Sequence, residues 1–192
     1  MTQRLNFIRH GETDWNLEKK MQGWIDTVLN QTGKKQAQTA ILALKQYPIE
    51  RIISSTLTRA KETALIINTH FQVPFTQTDA FKEINLGDIE GKTDSFIQHI
   101  DSQITLKIPT NDNECYPNGE SWNDVIHRVK QEIIHIATHF REKHILIVTH
   151  GGVLYKLYAY ITNETKLFEN CRGFSVCYNP LTCVFSDIRL IV

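Results

Sequence analysis

No stretch of this 192-residue chain is apolar for long enough to cross a bilayer. Its N-terminus, MTQRLNFIRH, moves straight into a strand pattern and lacks the apolar segment of a signal peptide. An excess of one charge is also missing: 21 Lys and Arg balance 21 Asp and Glu, for a formal net charge of zero. A polyanion-binding domain ordinarily carries a basic surplus, so neither nucleic acid nor a membrane is expected as partner. A neutral total still permits one small positive pocket. Cysteine is scarce, at positions 115, 171, 177 and 183, and none forms a C-x-x-C pair. That usage points to free thiols and a cytoplasmic address, even for Cys177 and Cys183, which flank a predicted hairpin.

Gly and Pro are sparse as well, at 9 and 5 residues. There is no Gly- or Pro-rich linker, no internal repeat and no low-complexity tract. The least regular stretch, DSQITLKIPTNDNECYPNGE at 101–120, reads as a surface excursion. One domain over 1–192 is therefore expected, with a cap or insert at about 92–120.

What the chain does have is an ordinary globular composition, 41% hydrophobic and 22% charged, and alternating strand and helix signals. Strands are predicted at Leu5–Ile8, Ile49–Ser54 and 145–149, with a closing hairpin at Val176–Tyr178 and Val184–Val192 around Asn179-Pro180. Helices are predicted over Thr32–Tyr47, Thr58–His70, weakly Thr93–Asp101, then Ser121–Arg141 and Gly151–Ile161. Ser121 with Asp124 forms a capping-box pattern. Trp122, Val125, Val129, Ile133, Ile136 and Phe140 make one apolar stripe, with Trp122 and Phe140 expected as core anchors. The unbroken Ile-Leu-Ile-Val run at 145–148 suits a central strand buried on both faces. The fold class expected is α/β: a mostly parallel central sheet with helices on both faces.

Two strands share an ending. The first runs into Arg9-His10-Gly11 and the one at 145–149 into His150-Gly151-Gly152. Ligands of open α/β sheets bind beyond the carboxyl ends of the strands. Neighbouring strands would thus set two imidazoles over one crevice, with glycines allowing close backbone approach and a helix N-terminus at Gly151 or Gly152. Arg59 opens the helix after the second strand, where a cation is mildly unfavourable unless an anion sits nearby. Arg9, Arg59, His10 and His150 converging in a neutral protein imply a phosphate-sized anion. His135 and His139 are four residues apart but lie on a helix flank without a completing ligand, so no metal site is expected.

Four segments in register, R-H-G-E-T-x-x-N at 9–16, S-x-x-x-R-A-x-x-T-A at 55–64, E-x-x-x-G-x-x-E-G at 83–91 and T-H-G-G at 149–152, resemble the histidine phosphatase superfamily, which includes the cofactor-dependent phosphoglycerate mutases. The resemblance implies a phosphoglycerate mutase-like three-layer fold and a phosphohistidine intermediate. His10 takes the nucleophile's position and Glu83 the acid's, with Arg9, Arg59 and His150 as the oxyanion clamp. Asn16, Gln22, Gly23 and the Gly151 backbone N–H are implied substrate contacts. No metal and no cofactor are implied, and the partner is a small phosphomonoester. Oligomeric state is not readable.

Within the family the phosphatase branch fits better. Where mutases of the family carry Glu-Arg-His-Tyr-Gly, this chain has Glu83-Ile84-Asn85-Leu86-Gly87. Residues 92–120 hold only Lys92 and Lys107 as cations, and Pro117-Asn118-Gly119-Glu120-Ser121 resembles the P-x-G-E-S of phosphatases. Metal-independent hydrolysis is the expected activity. A cofactor-dependent phosphoglycerate mutase and a non-catalytic phosphate or phosphopeptide reader are the alternatives.

Overall fold

The computed structural model describes residues 2–93, 95 and 109–191. Most of the expected weak helix at Thr93–Asp101, and residues 94 and 96–108 of the 92–120 insert, lie outside the described residues. Six strands form one sheet: β1 (Gln3–Arg9), β2 (Arg51–Ser55), β3 (Phe75–Thr78), β4 (His144–Thr149), β5 (Gly173–Asn179) and β6 (Val184–Ile191), in the order β3-β2-β4-β1-β5-β6. The first four run parallel, while β5 and β6 are antiparallel additions at one side. The helices are α1 (Asp14–Leu17), α2 (Gln31–Leu44), α3 (Thr58–Phe71), α4 (Trp122–His139) and α5 (Gly151–Thr162).

The period-two alternation of the buried strands explains why their sequences read as unbroken apolar runs. Leu5, Phe7, Ile53, Ile145 and Ile147 face a core covered by α4 and α5. Ile8, Ile52, Leu146 and Val148 face the opposite core, covered by α2 and α3. Each strand thus meets apolar neighbours on both sides, as a three-layer fold requires. In α4, Val125, Val129, Ile133 and Ile136 carry the buried stripe, and Ser121 and Asp124 close the capping box.

Several boundaries differ from the sequence expectation. The strand β3 lacks a sequence signal because Phe75–Thr78 is a four-residue edge strand with two exposed positions. Trp122 and Phe140 are half-buried at the ends of their stripe and both pack against the core, and Trp122 also lines the cavity described below. Cys115, Cys171, Cys177 and Cys183 are all free thiols. Among the described residues, no helix is long and apolar enough to cross a membrane.

The parallel register of β1 on β4 positions the site. Arg9 pairs with Thr149 at the carboxyl ends of the two strands. His10 and His150 follow immediately, and the His10 N–H donates to the Thr149 carbonyl at 2.9 Å. The next strand over, β2, ends beside them and delivers Arg59 in the first turn of α3.

Candidate active site

A cavity of about 410 Å³ opens at these strand ends. Arg9, His10, Asn16, Gln22, Gly23, Arg59 and Glu83 all line it. His150 lies behind His10, fully buried, with ring centroids 5.2 Å apart. Gly151 is not on the cavity wall; its neighbour Gly152 is, and the Gly152 N–H donates to Glu83 Oε2 at 3.0 Å. Gly151 instead packs against the Arg9 guanidinium, where an added Cβ would stand 3.3 Å from Nε.

The tautomer of His10 is set by its neighbour. Its Nδ1 lies 2.7 Å from the Gly11 carbonyl oxygen. A carbonyl only accepts, so Nδ1 carries the proton and Nε2 keeps its lone pair. Burial first, then the positive charges of Arg59 and Arg9, hold the His10 pKa well below the usual imidazole value. The same desolvation, with Arg59 and His10 beside it, depresses His150. Both rings are neutral at physiological pH.

The arginines are anchored at one side and unpartnered at the other. Arg59 Nη1 donates to the Ile25 carbonyl at 3.0 Å and Nη2 to the Gly23 carbonyl at 2.7 Å. Arg9 Nη1 donates to the Phe168 carbonyl at 3.0 Å. Both Nε atoms, and both ring nitrogens of His150, are buried without a hydrogen-bond partner. With His150 neutral, these four atoms are three N–H donors and one acceptor, and buried polar atoms of this kind are almost always satisfied. Desolvation lowers the pKa of Arg59 to about 10 and that of Arg9 in the same direction. A bound anion would offset both costs.

Glu83 reaches the cavity from the loop after a short turn at Asp79–Phe81. Its Oε1 accepts from the Ile84 N–H at 2.9 Å, and its own carbonyl accepts from Trp24 Nε1 at 2.8 Å and Arg128 Nη2 at 2.9 Å. Asn16 and Gln22 are tied to Thr13: Asn16 Oδ1 accepts from the Thr13 N–H at 3.1 Å, and Gln22 Oε1 accepts from Thr13 Oγ1 at 3.1 Å. Gly23, at φ +50°, turns the chain so that its carbonyl meets Arg59.

Sequence reasoning missed the residues that hold this set in place. Thr63 Oγ1 accepts from the Gly11 N–H at 2.9 Å, joining the first two motifs. Arg128 and Trp24 hold the Glu83 backbone, and Asn170 Nδ2 donates to the His10 carbonyl at 2.9 Å. Thr63 stands inside a quoted motif and could have been singled out there; the others sit in no motif. Among the described residues, no group of three or more His, Cys, Asp or Glu side chains is arranged to hold a metal ion.

This constellation coincides with a match of residues 5–183 to the family model of the histidine phosphatase superfamily, branch 1. The chain belongs to that superfamily. A Bacillus subtilis protein described as the uncharacterized phosphatase PhoE is 34% identical over 174 residues, covering 91% of this chain and 85% of its own length. Phosphoglycerate mutase-like protein 4 of Arabidopsis thaliana is 36% identical over 173 residues, covering 88% and 75%. A mycobacterial glucosyl-3-phosphoglycerate phosphatase, solved as a complex with VO3, superposes with a TM-score of 0.83 at 25% identity and covers 99% of this chain and 98% of that one. Histidine phosphatase relatives of this chain thus carry both phosphatase and mutase names, and the fold is phosphoglycerate mutase-like.

Proposed function

We propose that this member of the superfamily is a phosphomonoesterase working through His10. The observation that carries the reading is the unprotonated Nε2 of His10, fixed by the Gly11 carbonyl, in a cavity lined by Arg9 and Arg59. The His10 lone pair attacks phosphorus, the N–P bond forms and the bond to the alcohol oxygen breaks. Glu83, as the carboxylic acid, gives its proton to that leaving oxygen. Water then attacks phosphohistidine, the Glu83 carboxylate takes the water's proton, and inorganic phosphate leaves with His10 regenerated.

Arg9, Arg59 and His150 supply the positive and donor surface for the equatorial oxygens, so this chemistry calls on no metal ion and no cofactor. A cation about 4 Å from an anionic oxygen is worth on the order of 4 kcal/mol at an effective dielectric near 20. Asn16, Gln22 and Gly23 on the cavity wall complete the proposed substrate contacts.

We read residues 1–192 as one phosphatase domain in which the 92–120 insert caps the cavity. Pro109, Glu114, Tyr116 and Glu120 of that insert line it. The four free thiols support a reducing, cytoplasmic setting. The substrate is a small phosphorylated metabolite.

The mutase reading has one specific support, the mutase names among the relatives. Against it, the position expected to carry a mutase tyrosine is Leu86, on the cavity wall. Hydrolysis of p-nitrophenyl phosphate in EDTA, together with 32P labelling of the protein, tests the proposal. Wild type is expected to turn over and to label, and His10→Ala to do neither. Retained hydrolysis in His10→Ala would end the assignment. Interconversion of 3- and 2-phosphoglycerate with a bisphosphate primer would move it to the mutase.

A further inference from the structure

One peptide group lies between α2 and His10. The amide joining Gly11 to Glu12 presents its carbonyl oxygen to His10 Nδ1 at 2.7 Å and its N–H to Gln36 Oε1 at 2.8 Å. The amides on either side are pinned by other groups: the Gly11 N–H by Thr63 at 2.9 Å, and the Glu12 carbonyl by the Asn30 N–H at 3.0 Å. On its N–H side, however, the central amide has one holder among the described residues, and that is Gln36.

Orientation of that amide decides which ring nitrogen is basic. Were the plane turned over, an N–H would face Nδ1 in place of the carbonyl. Nδ1 would then have to accept, the proton would move to Nε2, and the nitrogen facing the cavity would lose its lone pair. Gly11 has no side chain to resist such a turn. The close seat of α2 makes the restraint possible: a Cβ on Gly33 would fall 2.1 Å from the Glu12 carbonyl oxygen, so the helix N-terminus abuts the loop and brings Gln36, one turn later, into reach. Hydrogen bonds on both ends of one amide also polarise it, strengthening the acceptor that His10 sees.

We propose that Gln36 is a positioning residue that fixes the nucleophilic tautomer of His10 through the Gly11–Glu12 amide. The proposal rests on the reading of His10 as nucleophile, and no motif quoted from the sequence contains Gln36.

Three variants test it: Gln36→Leu and Gln36→Met, which lack the acceptor, and Gln36→Glu, which keeps an oxygen at the end of the chain. Loss of an orienting partner of a functional imidazole typically costs roughly 10- to 100-fold. Gln36→Leu and Gln36→Met are therefore expected to lower kcat on p-nitrophenyl phosphate by about 10-fold or more with KM changed less than about twofold, and Gln36→Glu to restore most of it. 15N NMR of labelled histidine should show His10 protonated at Nδ1 in the wild type and divided between tautomers in Gln36→Met. Unchanged kcat in the acceptor-free variants, or an equal loss in Gln36→Glu, would overturn the proposal. So would an undivided Nδ1-protonated signal in Gln36→Met. The NMR signal needs no turnover, so it decides the role of Gln36 even if wild type fails to label at His10 and the phosphatase reading falls.

Discussion

The imidazole of His10 stands 5.2 Å from that of His150 at an interplanar angle of 59°, and both rings are buried. Two desolvated imidazoles beside two desolvated guanidinium groups make a site that resists any further positive charge. Its rings stay neutral, and the two arginine Nε atoms and the His150 ring nitrogens have no hydrogen-bond partner among the described residues.

A first consequence is a pH-dependent stability. Both histidines have folded-state pKa values well below the usual 6.5, through burial and the neighbouring arginines. Below about pH 6.5 the unfolded chain takes up protons at these positions that the folded chain refuses, so stability rises with pH and is lost as pH falls through that value. The carboxylates with lowered pKa, Asp79, Asp124, Glu142 and Asp187, act in the same direction but only nearer their own unfolded values. Thermal unfolding between pH 7.5 and 5 should therefore show a falling Tm, and His10→Asn should flatten the slope. Inorganic phosphate should raise Tm at every pH, by about 2.7 kcal/mol of stability at 100 times its Kd. A flat Tm over that range would contradict the buried neutral pair.

A second concerns the support of Glu83. Arg128 donates to the Ala80 carbonyl at 2.7 Å and the Glu83 carbonyl at 2.9 Å, while Glu120 grips the other edge of its guanidinium at 2.9 Å. Arg128→Met would take this donor from the Ala80 carbonyl, leave the Glu83 carbonyl with Trp24 Nε1 alone and leave the Glu120 carboxylate with the Asn85 N–H alone. Since the pair is partly exposed, the expected cost is about 1–3 kcal/mol, and kcat should fall because Glu83 loses its register. Arg128→Lys, with fewer donors in a different geometry, should recover only part. Tm and steady-state kinetics on the two variants check this, and an unchanged kcat in Arg128→Met would remove Arg128 from the site's support.

A third follows from Gly33. Alanine is the better helix former by roughly 0.5–1 kcal/mol, and φ at this position is unexceptional. Yet its Cβ would meet the Glu12 carbonyl oxygen at 2.1 Å and the Glu12 nitrogen at 2.6 Å, both backbone atoms of the loop that carries His10. The close approach wins. Gly33→Ala is expected to cost about 1–3 kcal/mol, or several degrees in Tm, and to lower activity more than an alanine at the exposed Lys34 of the same helix. A Gly33→Ala protein as stable and active as the parent would show that the loop yields freely.

These cases also show what a sequence can reveal. The apolar runs of β1 and β4 both end in His-Gly, so a meeting of His10 and His150 was legible on the condition that the two strands are neighbours, and the structure supplies that adjacency. Glu83, Asn16, Gln22 and Gly23 were reachable only through the family's motifs, since a loop carboxylate or amide has no periodicity to betray it. The contacts of Arg128, Trp24, Gln36 and Asn170 run through backbone carbonyls and amides far off in the chain, and backbone partners leave no mark in side-chain patterns. The edge strand β3 escaped for a related reason: one pairing and two exposed positions need no apolar alternation. At α5, the glycine pair placed the helix N-terminus correctly, but only the structure distinguishes Gly152, which bonds Glu83, from Gly151, which makes room for Arg9.

The outer wall of the cavity bears on which alcohol leaves. Beyond the cluster around His10, the described wall includes Met21, Ile84, Leu86, Ile89, Pro109, Tyr116 and Trp122, with the carboxylates of Glu114 and Glu120. Its one cation outside that cluster, Lys20, is bridged to Glu18 at 2.6 Å and lies over the Trp15 ring. A substrate with a second anionic group would meet mainly apolar surface there, Glu120 being bridged to Arg128 as Lys20 is to Glu18, while an apolar or aromatic alcohol would bury its surface at about 25 cal/mol per Å². Phenethyl phosphate and 3-phosphoglycerate are both alkyl esters, so comparing them separates recognition from leaving-group reactivity. The expected kcat/KM is higher for phenethyl phosphate by about tenfold or more, a difference of roughly 1.4 kcal/mol. Leu86→Arg, which places a cation on the same wall, should narrow the gap by improving the carboxylate substrate. Preference for 3-phosphoglycerate in the parent protein would mean that the carboxylate finds a partner other than these wall residues, and the apolar assignment of the leaving group would be withdrawn.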